Sequence, residues 1–189
     1  MYLFFDTETT GLPKNYKAPA YDTSNWPRLV QLAYALYDYD ATLIAEGDFI
    51  IKPNGFEIPE EASNIHRITN EMAINEGLPL SFVINEFYKL IEKTTNLVAH
   101  NMAFDEKIMG AEFIRSGYSD PLPFKNRICT MQTTTDFCKI ENRFGYKWPK
   151  LQELHNKLFG FEFEEAHNAA ADIHATAKCF WELRRLGIV

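Results

Sequence analysis

Asp6 and Glu8 stand two residues apart at the end of an apolar run, in the stretch Y-L-F-F-D-T-E-T-T-G of residues 2–11. The run is rich in β-favouring side chains and too short to span a membrane, and it stops at a Thr-Thr-Gly turn, so it reads as a buried strand ending in acid. Side chains alternate faces along a strand, which puts Asp6 and Glu8 on one face and Phe5 and Thr7 on the other. Two carboxylates this close raise each other's pKa unless a cation or a shared proton lies between them. The pair therefore calls for a metal ion or for a proton held between two acids. A solvated acidic end on an exposed edge strand is the bland alternative, and the run before the acids is too apolar to favour it.

A second signal lies downstream, where His100-Asn101-Met-Ala-Phe-Asp105 and His167-Asn168-Ala-Ala-Ala-Asp172 share the pattern H-N-x-x-x-D. In each, Asn can cap a helix whose first turns carry the Asp, with the His just outside. If His167 and Asp172 were both helical, five steps of ~100° would leave them ~140° apart; with His167 in the preceding loop, both can face one cavity. A lone Asp in a first turn is often no more than a favourable partner for the helix dipole. Four acids in three such places are harder to explain that way, and one shared proton cannot neutralise them.

The elements that must position these groups can be read in order. Residues 12–28 hold Pro13, Pro19 and Pro27 with Tyr16, Tyr21 and Trp26 and show no sustained period, as in a long loop beside a site; its aromatics could stack on a base or pack on their own domain. Segments 29–39 and 42–52 read as strands joined by a short Asp40-Ala41 connection. Helical periods follow at 59–66, 69–76 and 80–94, then a strand at 96–100 leading into the helix capped by Asn101. A strand near 127–129, a helix at 131–139, a helix at 149–159 opened by Pro149, and a closing helix at 168–186 complete an α/β pattern with a mixed sheet, three antiparallel strands first.

At 189 residues, 46% of them hydrophobic, the chain has the length of one domain, 1–189, with a substantial core. It has no apolar stretch of membrane-spanning length and no basic leader with a cleavage site, so it is expected to be soluble and cytoplasmic. Cys129, Cys138 and Cys179 contain no C-x-x-C pair and read as buried reduced thiols. A net charge of -7 argues against a broad basic surface that coats nucleic acid, but not against an enzyme that holds a strand end through metal ions.

The motifs Asp6-Thr-Glu8-Thr-Thr-Gly11, His100-Asn101-Met-Ala-Phe-Asp105 and His167-x-x-x-x-Asp172 resemble, in order and spacing, the three motifs of the DEDDh 3′-to-5′ exonucleases of the proofreading-subunit type. The resemblance covers nearly the whole chain and implies a ribonuclease H-like fold. Ile65-His66-Arg67-Ile68-Thr69 also resembles the family's His-Gly-Ile-Thr segment, with Arg67 in place of Gly. By this resemblance Asp6, Glu8, Asp105 and Asp172 would hold two divalent ions, Mg²⁺ or Mn²⁺, with Asp6 bridging, and His167 would be the general base. His100 sits in the same local context as His167; only the family pattern selects His167, leaving His100 structural or a helper. His66, His155 and His174 read as ordinary surface or core residues. Thr9 and Gly11 would contact the 3′-terminal nucleotide, Leu12 would wedge against its base, and His100 and Asn101 would lie beside the substrate. The implied partner is a single-stranded 3′ end, DNA ahead of RNA, with no membrane involved; a homodimer or association with a polymerase is also open.

Two other readings compete. A haloacid-dehalogenase-type phosphatase also begins with an apolar strand carrying two acids, but its chemistry needs D-x-D, and here the second acid is Glu8. A catalytically silent nucleic-acid-binding module of the same fold would need a defect elsewhere, since all five expected catalytic residues are present.

Overall fold

A computed structural model describes residues 1–161, 163 and 169–189. Its centre is a five-stranded sheet in the order β3-β2-β1-β4-β5, formed by β1 (Tyr2–Thr9), β2 (Leu29–Tyr37), β3 (Leu43–Ile50), β4 (Asn96–Ala99) and β5 (Asn126–Cys129). The pairs β1–β2 and β2–β3 are antiparallel; β1–β4 and β4–β5 are parallel. This is the mixed sheet expected from the sequence, with β1 in the middle. A central strand needs apolar side chains on both faces, and β1 has them. Leu3 and Phe5 pack into one core with Phe87 and Phe113, while Tyr2 and Phe4 pack on the other face with Ala177 and Phe180.

Those two cores fix the helical layers. On the Phe5 side lie α3 (Leu80–Lys93) and α4 (Met102–Arg115); Phe5 meets Phe87 of α3 at a ring separation of 5.4 Å. On the Phe4 side lies α8 (Ala169–Arg185), whose Phe180 meets Phe4 edge-on at 5.3 Å. Two short helices, α1 (Glu60–His66) and α2 (Asn70–Glu76), follow β3, and α7 (Leu151–Phe159) packs against α8. The edge strand β3 is largely exposed and carries Glu46 and Asp48, which discourage further pairing. No helix among the described residues is long and apolar enough to cross a membrane. The three cysteines are free and buried.

Several boundaries differ from expectation for local reasons. The β2–β3 connection is longer than Asp40-Ala41, because the Asp38 carboxylate accepts the amides of Asp40 and Thr42 at 2.9 and 2.8 Å and Ala41 turns left-handed at φ 63°. The helix expected at 131–139 is broken into α5 (Thr130–Thr133) and α6 (Thr135–Cys138). Thr133 and Thr134 hydroxyls bond back to the carbonyls of Cys129 and Thr130 at 2.9 and 2.6 Å, competing with the amide ladder. A small hairpin, β6 (Glu141–Asn142) with β7 (Gly145–Tyr146), was not foreseen, its strands being two residues each. Pro149 lies two residues before α7, where Glu153 accepts the amide of Lys150 at 2.7 Å instead.

Candidate active site

Asp6 pairs with Ala33 and Glu8 with Gln31 across β1 and β2, so both acids project to the side of the sheet covered by α8. The first turn of α8 adds Asp172, and ligand oxygens of Asp6, Glu8 and Asp172 all lie within 4.8 Å of one another. Around one octahedral Mg²⁺ with bonds of ~2.1 Å, neighbouring oxygens are ~3 Å apart and opposite ones ~4.2 Å. The triad thus has the donor type and nearly the spacing that a hard divalent cation requires.

Asp105 arrives from the opposite layer. It lies in the first turn of α4, is 3% exposed, and its Oδ1 accepts both the amide of Thr7 at 3.2 Å and the Thr7 hydroxyl at 2.7 Å. The sheet explains why that amide is available. β4 pairs with β1 only from Tyr2 to Phe4, leaving the end of β1 open on that edge. Thr7, pointing away from Asp6 and Glu8, thereby anchors the fourth acid beside them. No sequence signal marked Thr7 for this, because the vacancy exists only once the strand order is known.

The electrostatics follow from crowding. Burial holds the Asp6 carboxyl well above its ordinary range, and the charges of Asp105, Asp172 and Glu8 add to the effect. Glu8 is pushed up to about 8 by burial and then by Asp172 and Asp105. Asp105 is pushed up to about 7 by burial, against the lowering effect of its bonds to Thr7. Without a counter-ion the cluster must carry protons at neutral pH; a bound cation would release them.

His167 and Asn168 lie outside the described residues. His100 is inside them, and both its ring nitrogens are engaged within the protein: Nδ1 with the Thr130 hydroxyl and Nε2 with the Pro149 carbonyl, each at 3.0 Å. Burial pushes its pKa down to about 4, so the ring is neutral at pH 7. These contacts are of the kind a structural residue makes. Asn101 departs from expectation: it is exposed, its side chain makes no cap bond, and only its carbonyl accepts the amides of Phe104 and Asp105. Its backbone, at φ -130° and ψ 58°, is outside the extended region from which a side chain reaches the first-turn amides.

Beside Glu8 lies a cleft of about 210 Å³ walled by Thr9, Gly11, Leu12, Ile65, His66 and Phe104. The Thr9 hydroxyl bonds the Gly11 carbonyl at 2.7 Å, and Thr10 exchanges bonds with Arg28 at 2.9 and 3.0 Å, which fixes the turn after β1. Gly11 has φ 147°, and a Cβ there would meet nothing, so the position calls for glycine by backbone conformation and not by space. Leu12 is 74% exposed over this cleft and Ile65 is 58% exposed. His66 was passed over in the sequence, yet it is a buried wall of the cleft. Its Nδ1 accepts the Ile68 amide at 3.1 Å, so the neutral ring carries its proton on Nε2. Burial lowers the His66 pKa and the Thr9 backbone opposes part of the shift, but Nε2 has no partner in hydrogen-bonding geometry among the described residues.

The exonuclease profile of the RNase T family matches residues 3–180. The epsilon subunit of DNA polymerase III from Treponema pallidum is 32% identical over 176 residues, covering 93% of this chain and 73% of that protein. The PolC-type DNA polymerase III of Lactococcus lactis is 30% identical over 94% of this chain, which spans only 10% of that much longer polymerase. Among solved structures, E. coli exonuclease I in complex with a dA16 oligonucleotide superposes with TM-score 0.75 over 97% of this chain and 40% of that one, at 23% identity. The zinc-bound exonuclease I complex with single-stranded DNA gives 0.77 at 22% identity, and both share the ribonuclease H-like fold. With the profile spanning the acids of β1, α4 and α8 alike, this chain belongs to the RNase T exonuclease family.

Proposed function

We propose that residues 1–189 act as one exonuclease domain that removes nucleoside 5′-monophosphates from the 3′ end of DNA, using two divalent cations, Mg²⁺ or Mn²⁺, and His167 as general base. The observation that carries this reading is the carboxylate triad within 4.8 Å at the end of β1, with Asp105 tied to Thr7 beside it. When bound, the two cations neutralise charge on the phosphoryl oxygens and on the attacking and leaving oxygens. Asp6, Glu8 and Asp172, with Asp105 beside them, would hold the ions through their carboxylate oxygens. Thr7 keeps the Asp105 carboxylate from turning away. His167 takes a proton from the attacking water, as a base of near-neutral pKa does best. The terminal nucleotide lies in the cleft after β1, with Leu12, Ile65 and Phe104 against its base and the buried His66 ring forming part of the wall behind it. The relatives that are polymerases or polymerase subunits support association with a replicative polymerase, and the DNA-bound exonuclease I supports DNA over RNA.

The test is a 5′-labelled single-stranded oligonucleotide incubated with Mg²⁺ or Mn²⁺. A ladder shortening by single nucleotides is expected, absent in Asp6→Ala. His167→Ala should still bind the strand but hydrolyse it ~10²- to 10⁴-fold more slowly. Wild type and Asp6→Ala equally inert with both cations would remove the proposal, and slowing in His100→Ala but not His167→Ala would reassign the base.

A further inference from the structure

The stretch 139–150, K-I-E-N-R-F-G-Y-K-W-P-K, is a basic and aromatic island in an acidic chain. It carries Lys139, Arg143, Lys147 and Lys150 against the lone acid Glu141, within a chain of net charge -7. The structure turns it into a projecting arm. β6 and β7 pair Glu141 with Tyr146 and Asn142 with Gly145; the Asn142 side chain accepts the Phe144 amide at 2.8 Å, and the Lys147 amide bonds Ile140 at 2.8 Å. At the root, Lys147 is spent on Glu153, with both carboxylate oxygens at 2.6 Å. Lys139, Arg143 and Lys150 remain exposed.

The aromatics of this arm are on the outside. Phe144 is 84% exposed, Trp148 60% and Tyr146 45%, and the Arg143 guanidinium lies over the Phe144 ring at 4.5 Å. Leaving three large rings in water forgoes a stabilisation of ~2 kcal/mol each that burial would give. Rings interleaved with cations are what single-stranded nucleic acid binds: every base offers a face to stack, every phosphate a charge to pair. The arm is also continuous with the site. The Pro149 carbonyl at its base is bound by Nε2 of His100, and His100 with Asn101 links β4 to α4, which supplies Asp105.

We infer that the β6–β7 arm is a strand-holding element: Phe144 and Trp148 stack on bases, and Arg143 with its neighbouring lysines pairs phosphates, of the nucleic-acid strand 5′ to the nucleotide in the site. This rests on the exonuclease reading, and it gives His100 a reason to use both ring nitrogens: it fastens the arm to the junction beside Asp105.

The test compares wild type with Phe144→Ala/Trp148→Ala and, separately, Arg143→Glu, all at exposed positions. Affinity for a 5′-fluorescein 12-mer of deoxythymidylate is read by anisotropy with divalent cations chelated, over a range of salt. Turnover of the p-nitrophenyl ester of thymidine 5′-monophosphate, which has no nucleotide beyond the site, is read with Mn²⁺. The aromatic variant should bind the 12-mer about 10- to 100-fold more weakly. Arg143→Glu should lower the salt slope by about one. Ester turnover should stay within about twofold in both. Unchanged 12-mer affinity overturns the inference and would leave these rings to a protein partner. Ester turnover falling in step with affinity also overturns it, as a structural defect. An arm-dependent 12-mer affinity in a wild type that turns over neither the ester nor, with cations added, the 12-mer upholds the arm and removes the exonuclease reading instead.

Discussion

Arg67 occupies a position where the family's pattern has glycine, and its backbone shows what that glycine is for. It caps α1 in the left-handed region, φ 67° and ψ 6°, and its amide bonds the Ser63 carbonyl at 2.8 Å. The turn is thus kept, at a steric cost of about 1–2 kcal/mol for a residue with a Cβ. Arg67→Gly should therefore raise the unfolding free energy by about 0.5–1 kcal/mol, net of the greater freedom that glycine gives the unfolded chain, with strand hydrolysis unchanged. Paired urea titrations of the two proteins check this, and a loss of stability would mean that the Arg67 side chain makes contacts worth more than the strain. At this scale the sequence exposed every acid, because Asp6, Glu8, Asp105 and Asp172 sit in local contexts that a strand period and a helix start reveal. Thr7 and His66 stayed hidden, since their roles depend on which edge of β1 is vacant and on which ring faces the cleft, and neither is local.

Among the elements, the loop 12–28 shows how an irregular segment is held. Glu112 of α4 is fully buried; it accepts Arg28 Nε and Arg115 Nη1 at 2.8 Å each and the Leu29 amide at 3.0 Å. Arg115 also donates to the carbonyls of Thr23, Trp26 and Pro27, so one buried ion cluster clamps the end of the loop and the start of β2. The Trp26 ring is buried and donates to Pro19, which gives one of the loop's aromatics a packing role, while Tyr16 and Tyr21 stay exposed. Removing the carboxylate leaves two guanidinium groups and an amide facing each other. Glu112→Ala should cost about 3–5 kcal/mol, and Glu112→Gln, which keeps an acceptor, less. Chemical denaturation orders the two, and equal small losses would mean that solvent replaces the pairing freely. The loop's length was legible from its prolines, but not its anchor, because Glu112 looks like any acid on a helix until the helix is seen to cross β1. The mixed sheet with its antiparallel start was legible for the opposite reason: the N-terminal strands are long and strongly patterned. The β6–β7 pair, two residues a side, falls below what a period can register.

For the whole molecule, the cluster at the end of β1 makes stability depend on pH in a direction that can be worked out. Glu8 is raised from 4.5 to about 8 and Asp105 from 3.8 to about 7, with Asp6 also raised, so between those limits the folded state binds more protons than the unfolded one. Stability from these groups is complete below their ordinary pKa and is lost as pH climbs through the folded values. His100 works the other way: it is lowered from 6.5 to about 4, and so costs stability as pH falls through that interval. His66 is lowered too. The two effects oppose each other below pH 6.5. The thiols enter at the alkaline end, where Cys179 is held up at about 12 from 9.0. Among the described residues, the interval from 6.5 to about 8 therefore isolates the carboxylates, apart from a small opposing contribution from the mostly exposed N-terminal amine. With divalent cations chelated, the unfolding free energy should fall as pH rises across it. Saturating Mg²⁺ or Mn²⁺ should flatten or invert that slope, since a bound cation pulls the carboxylate pKa values back down and stabilises the fold by mass action. Urea unfolding at four pH values, with chelator and with cation, measures both slopes. A chelated profile that is flat over this interval, or two profiles that run parallel, would show that the acids at the end of β1 are not the site at which the fold takes up its ions.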